Sequence, residues 1–114
     1  MGRFRLDSSY SRGTLRLLLH GVFDGSSAWE VRHALVGADA GRIILDFSGV
    51  EETWEFGAAI LSAGIKGTDR SRISFAHVPE EVRAALALFG TPVEEEERPW
   101  KIAFPWMAAA AESA

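Results

Sequence analysis

Ile43-Ile44-Leu45-Asp46-Phe47-Ser48-Gly49-Val50 is the stretch from which the fold can be read. Ile43 to Leu45 is a short, continuous apolar run, and a strand covered on both faces reads this way because neither face meets water. The pattern predicts a strand over 41–47, which the chain leaves through Asp46 to Val50. Upstream, Ala28, Val31, Ala34 and Leu35 recur at helical spacing, with Ser27 and Glu30 fitting a capping box and Gly37 a plausible stop. Downstream, a second helix is expected from about Thr53, its N-cap, to Lys66, with Gly57, Ile60, Leu61 and Gly64 along one stripe. A strand flanked in this way belongs to an α/β sheet with right-handed parallel crossovers.

Further out the reading continues in both directions. Arg3-Phe4-Arg5-Leu6-Asp7 alternates with the period of a half-buried strand, and Ser8 to Gly13 reads as a polar hairpin loop. Thr14 to His20 supplies a second strand with Leu15, Leu17 and Leu19 on one face, pairing antiparallel with the first. Ile73 to Ala76 is a further strand. Pro79, Glu80 and Glu81 then open the clearest helix, where proline suits the first turn and acids suit the positive end of the dipole. Its stripe is Val82, Ala85, Leu86 and Phe89, and Gly90 caps it. Thr91 to Pro99 carries Glu94 to Glu97 and reads as a solvated loop. Trp100 to Phe104 alternates as a last strand, and Pro105 starts a short terminal helix. Trp100, Ile102, Phe104, Trp106 and Met107 form too large an apolar cluster to leave in water, and are expected to dock on the chain's own sheet. The expectation is one α/β domain over 3–112, with 99–112 the last strand and helix. Its sheet is mixed, the first strand antiparallel and the remainder mostly parallel, with helices packed mainly on one face.

Composition narrows the function. At 114 residues there is room for one core, and a net charge of −4 offers no basic field for nucleic acid or an anionic membrane. The chain has no cysteine, which removes disulfides, thiolate metal sites and cysteine nucleophiles together. No apolar run reaches the roughly 20 residues that span a bilayer, and the N-terminus lacks a secretory h-region, so the cytoplasm is the expected location. His20, His33 and His77 fall on a strand, a helix and a loop, without metal-ligand spacing. Gly21-Val22-Phe23-Asp24-Gly25 has neither a dinucleotide fingerprint nor a Walker lysine and reads as a strand-to-helix turn. Ser26-Ser27 lacks a nucleophile elbow, and Glu51, Glu52 and Glu55 read as solvated loop acids. No catalytic set, metal site or cofactor is expected.

Three stretches together resemble the STAS family (sulfate transporter and anti-sigma factor antagonist) over nearly the whole chain. Leu17 to Gly21 followed by Val22-Phe23-Asp24 is similar to its second strand and turn. Ile43 to Val50 is similar to its central "vvlDlS.v" strand, and Val82 to Gly90 to a helix reading "v...l...G". Gly57 stands where the family's phosphosite motif, Asp-Ser-Ser-Gly, ends. The resemblance implies a non-catalytic bacterial signalling module that regulates transcription by binding a protein: an anti-sigma-type serine kinase or another signalling protein. It implies no nucleic acid and no membrane, and a monomer or homodimer.

At the switch the chain departs from that pattern. The motif's Asp becomes Trp54, its first Ser becomes Glu55, and its phospho-accepting Ser becomes Phe56, which has no hydroxyl to modify. The resemblance then implies a contact surface of Asp24, Gly25, Ser26, Trp54, Glu55 and Phe56 that works without phosphorylation, because both turns should lie at one end of the sheet. Two arrangements of the aromatics are open: anchors exposed to a partner, or Phe56 folded into the core with Trp54 covering the sheet edge. Two other functions are open as well, a small-anion or nucleotide sensor built on the same turns and the N-terminus of the second helix and a structural module self-associating through Trp100, Phe104 and Trp106.

Overall fold

The computed structural model describes residues 3–93. The expected last strand, the terminal helix and the docking of Trp100 to Met107 lie outside the described residues. Within them the order is β1 (Arg5–Ser11), β2 (Thr14–Phe23), α1 (Gly25–Gly37), β3 (Arg42–Thr53), α2 (Glu55–Lys66), β4 (Ile73–Ala76) and α3 (Glu80–Leu88), with a 3-10 turn at Arg70–Arg72. The four strands lie side by side as β1-β2-β3-β4. β1 is antiparallel to β2, and the β2–β3 and β3–β4 pairs are parallel. The mixed α/β sheet expected from the sequence is present.

The hairpin corrects the reading of residues 8–13. Ser8 to Ser11 continue the strand, and the turn is only Arg12-Gly13, with φ of 51° and 80°. A two-residue turn with both φ values positive matches the twist of the flanking strands. The extension was invisible because β1 beyond Leu6 is exposed on both faces, leaving no apolar period to follow.

Alternate residues of the central strands face the helices. Leu17, Leu19 and Phe23 of β2, Ile43, Leu45 and Phe47 of β3, and Phe75 of β4 share one core with Ala28, Val31 and Leu35 of α1. Ala58, Leu61 and Ile65 of α2 and Val82 and Leu86 of α3 complete it, so all three helices pack on one face. Phe47 lies at its centre, edge-on to Phe23 at 5.3 Å and stacked with Phe75 at 6.4 Å. The stripe expected for α2 is shifted by one residue: Ala58, Ser62 and Ile65 are buried with Gly57 and Leu61. Ser62 is buried because its hydroxyl bonds to that of Thr91 at 2.5 Å and to the Phe89 carbonyl, tying α2 to the chain after α3.

The opposite face of β3 carries Asp46, 4% exposed. Its carboxylate accepts from the Ser48 N–H at 2.9 Å, meets Arg16 Nε at 3.1 Å, and lies 3.2 Å from His77 Nδ1. Burial pushes this carboxyl up. The Ser48 bonds, the His77 contact and the Arg16 charge together outweigh burial and hold it below the usual carboxylate range. A carboxyl whose folded-state pKa lies below the unfolded value of about 3.9 contributes its full stability at neutral pH, and that contribution is lost as pH falls past this value and through the lower folded one. Unfolding free energy measured in urea should therefore decline below about pH 4. Asp46→Asn should cost about 2 kcal/mol at neutral pH, less than for a fully buried pair because Arg16 and His77 reach solvent, and should flatten that decline. An unchanged acid profile in the variant would refute this role for Asp46.

Candidate functional site

β3 runs two residues further than its partner over the shared span, and two irregularities take up the excess. Leu18 pairs with Asp46 but His20 with Gly49, and Gly21 pairs with Val50 but Val22 with Glu52. The first shift places His20 over Gly49, where a Cβ would run into the imidazole Nδ1; the second follows Gly21, held at φ 84°. These shifts bring the strands level, so that Phe23 pairs with Thr53. The residues that follow, Asp24 and Trp54, leave the sheet side by side, and the Trp54 N–H donates to the Phe23 carbonyl at 2.9 Å. β3 thus reaches Thr53, six residues beyond the end expected at Phe47. Parallel strands ending together give the two strand-to-helix turns a common location, as expected.

The first turn is built around Asp24, which is the N-cap of α1. Its Oδ1 accepts from the Ser27 N–H at 3.0 Å and from the Ser26 and Ser27 hydroxyls at 3.1 and 2.9 Å. The Ser27 N–H is the chief cause of an Asp24 pKa below the usual carboxylate range, with burial opposing it. The capping box expected at Ser27 and Glu30 is therefore corrected. Ser27 sits inside the helix, buried, and its hydroxyl also lies 2.6 Å from the Val22 carbonyl. Asp24 took the cap because a carboxylate placed three residues before an orphan N–H satisfies it with a full charge.

The second turn has Trp54, not Thr53, as the N-cap of α2, with no side-chain cap bond. Thr53 Oγ1 instead donates to Glu81 Oε1 of α3 at 3.3 Å, and Trp54 Nε1 to Glu52 Oε2 at 3.4 Å. Gly57 lies directly on the first turn: a Cβ there would fall 2.8 Å from the Asp24 carbonyl oxygen and 3.0 Å from its carbon. Gly25 is met in the same way by the Phe56 ring, 2.9 Å from a would-be Cβ. The two turns are in van der Waals contact through two glycines.

Neither aromatic folds inward. Trp54 is 57% and Phe56 70% exposed, which decides between the two arrangements open from the sequence in favour of exposure. Asp24, Gly25, Ser26, Trp54, Glu55 and Phe56 thus lie at one end of the sheet, with Gly25 against the Phe56 ring. The hydroxyls nearest Phe56 in the sequence are engaged, that of Thr53 at the end of β3 with Glu81 and that of Ser62 on α2 in the buried pair with Thr91.

One feature beside this surface was not anticipated. A groove of about 370 Å³ runs between α2 and α3, lined by Trp54, Glu55, Ala58, Glu81, Ala85 and Leu88 among others. Leu88 is 74% exposed. Its position off the Val82–Leu86 stripe was the available signal, since an apolar residue outside a helix's buried face has no core to enter. Elsewhere, His33 is exposed and His77 lies against Asp46. Among the described residues no group of three or more His, Cys, Asp or Glu is placed to hold a metal ion. No described helix is long and apolar enough to cross a membrane.

Neither a family model nor a curated relative matches the chain. Solved structures do. One is the anti-sigma factor antagonist SpoIIAA in its unphosphorylated form, at TM-score 0.59 and 16% identity, covering 93% of this chain and 98% of that one. Another is a serine-to-glutamate variant of RsbS from Moorella thermoacetica, at TM-score 0.59 and 14% identity, covering 92% and 98%. With a mixed sheet in which, among the described residues, the first strand alone is antiparallel and the helices share one face, the chain has the STAS-like fold of the anti-sigma factor antagonists.

Proposed function

We propose that this chain is a non-catalytic bacterial regulatory module that binds a protein partner through its end surface, without control by phosphorylation. The observation that carries the reading is the exposure of Trp54 and Phe56, two large apolar side chains two residues apart in the chain, where the family resemblance puts its phosphosite. Exposed aromatics on a rigid helix start are the residues that anchor protein interfaces. The fold is shared with an anti-sigma factor antagonist, and by that analogy the partner is an anti-sigma-type serine kinase or another cytoplasmic signalling protein. Phe56 cannot accept a phosphate, so binding is constitutive.

Electrostatics favour this reading over a small-anion or nucleotide sensor. An anion would seek the N-termini of α1 and α2. Asp24 already caps the first, and Glu55 opens the second. Both places carry negative charge.

Affinity purification from the native cell, with the retained partner challenged by phosphatase and then by ATP, tests the proposal. The partner should stay bound under both treatments, and mass mapping of Thr53 to Lys66 after incubation with ATP and a co-encoded kinase should find no phosphate. Phosphate in that segment, or release on adding ATP, would contradict it.

A further inference from the structure

We infer that the groove between α2 and α3 receives a short, basic amphipathic helix of the protein partner; this rests on the end-surface reading, since Trp54 belongs to both. Trp54 and Leu88, 57% and 74% exposed, stand on its rim, with Ala58, Ala84 and Ala85 leaving room between the helices. Small residues between two bulky apolar ones make a trough with an anchor at either side, the shape that accepts the apolar face of a helix. α3 has nine residues, about 13 Å, so the trough holds roughly two and a half turns.

Charge decides the occupant. Glu55 and Glu81 line the trough, Glu52 lies against the Trp54 indole, and Glu80 begins α3. Among the described residues that line it there is no lysine or arginine. A second copy of this chain would bring the same acids to the contact, and like charges across an interface are repelled. The chain's own segment after Val93 opens with Glu94 to Glu97 and carries the same penalty. A helix with leucine-like side chains on one face and lysine or arginine flanking them matches both the apolar floor and the acidic rim.

Three synthetic helical peptides with the full chain test this. All have the same leucine content and the same number of charged residues: one amphipathic with lysine and arginine, one amphipathic with glutamate in their place, and one with the basic composition scrambled. The basic amphipathic peptide should bind and move amide resonances of Thr53 to Ala58 and Glu81 to Leu88. Its affinity should fall at least about tenfold in Glu81→Lys and in Leu88→Asp, with circular dichroism verifying that each variant is folded. Equal binding of the scrambled or acidic peptide, binding by none, or shifts elsewhere would overturn the inference. Concentration-dependent shifts in the same segments without peptide would overturn it in favour of self-association. The native partner separates this failure from that of the end surface. Binding lost in Phe56→Ala but unchanged in Glu81→Lys and Leu88→Asp would leave the end surface standing and remove the groove.

Discussion

Replacing Gly57 with valine should destabilise the protein by about 3 kcal/mol and disorder the end surface at the same time. Helix propensity alone predicts the opposite, because removing a glycine from a helix gains up to about 1 kcal/mol. Packing wins here: a Cβ at this position would sit 2.8 Å from the Asp24 carbonyl oxygen and 3.2 Å from Asp24 Cα. Those are backbone atoms of the turn that caps α1, and they can retreat only by separating α2 from α1. Gly64, in the same helix, is the control. The three atoms its Cβ would meet first all belong to the Arg32 side chain, which can swing away at the loss of its stacking on Trp29. Gly64→Ala should therefore change stability by less than about 1 kcal/mol. Urea denaturation of both variants checks the contrast; equal losses would mean that Gly57 is not the contact on which the two turns depend.

Phe47→Ala should cost roughly 4 kcal/mol, the largest loss expected from a single side-chain truncation in this core. Phe47 is 1% exposed and joins Phe23 of β2 to Phe75 of β4 through ring contacts on both sides. Removing the ring forfeits its burial and leaves a cavity that two other rings cannot both move to fill. For a domain whose total stability is on the order of 5–15 kcal/mol, that is enough to lower the melting temperature by more than about 10 °C. Calorimetry measures it. A loss below about 1 kcal/mol would mean that Phe23 and Phe75 close over the gap and that the core is less tightly specified than its burial implies.

The parts of the fold legible in the sequence are those with an apolar period. Ile43 to Leu45 announced the central strand, and Val82 with Leu86 the buried side of α3, since exclusion from water writes itself into residue type. What could not be read had no such signature. Ser8 to Ser11 form strand with both faces wet, so only the pairing with β2 reveals it. β3 runs on to Thr53 through Ser48-Gly49, which on composition alone reads as a turn and instead accommodates a register shift. The cap of α1 was read at Ser27, but the Asp24 carboxylate takes it, and the Ser27 hydroxyl lies against the Val22 carbonyl inside the helix. At the site, the adjacency of the two turns followed from parallel topology. The exposure of Phe56 did not, because a phenylalanine at the start of a helix fits a core or an interface equally well. The groove was least legible of all, since Leu88 and Trp54 are 34 residues apart and meet only when α3 packs on α2.

The central claim is a constitutive protein contact anchored by Trp54 and Phe56. Its most direct test is an isothermal titration of the purified partner, without ATP, into the wild-type chain and into the Trp54→Ala/Phe56→Ala variant. Both side chains are more than half exposed, so the double variant should keep its fold, with a stability change under about 1 kcal/mol. Interface anchors contribute about 2 kcal/mol or more each, so affinity should fall by at least roughly a hundredfold. A variant that is folded and binds the partner as tightly as the wild type would contradict the account.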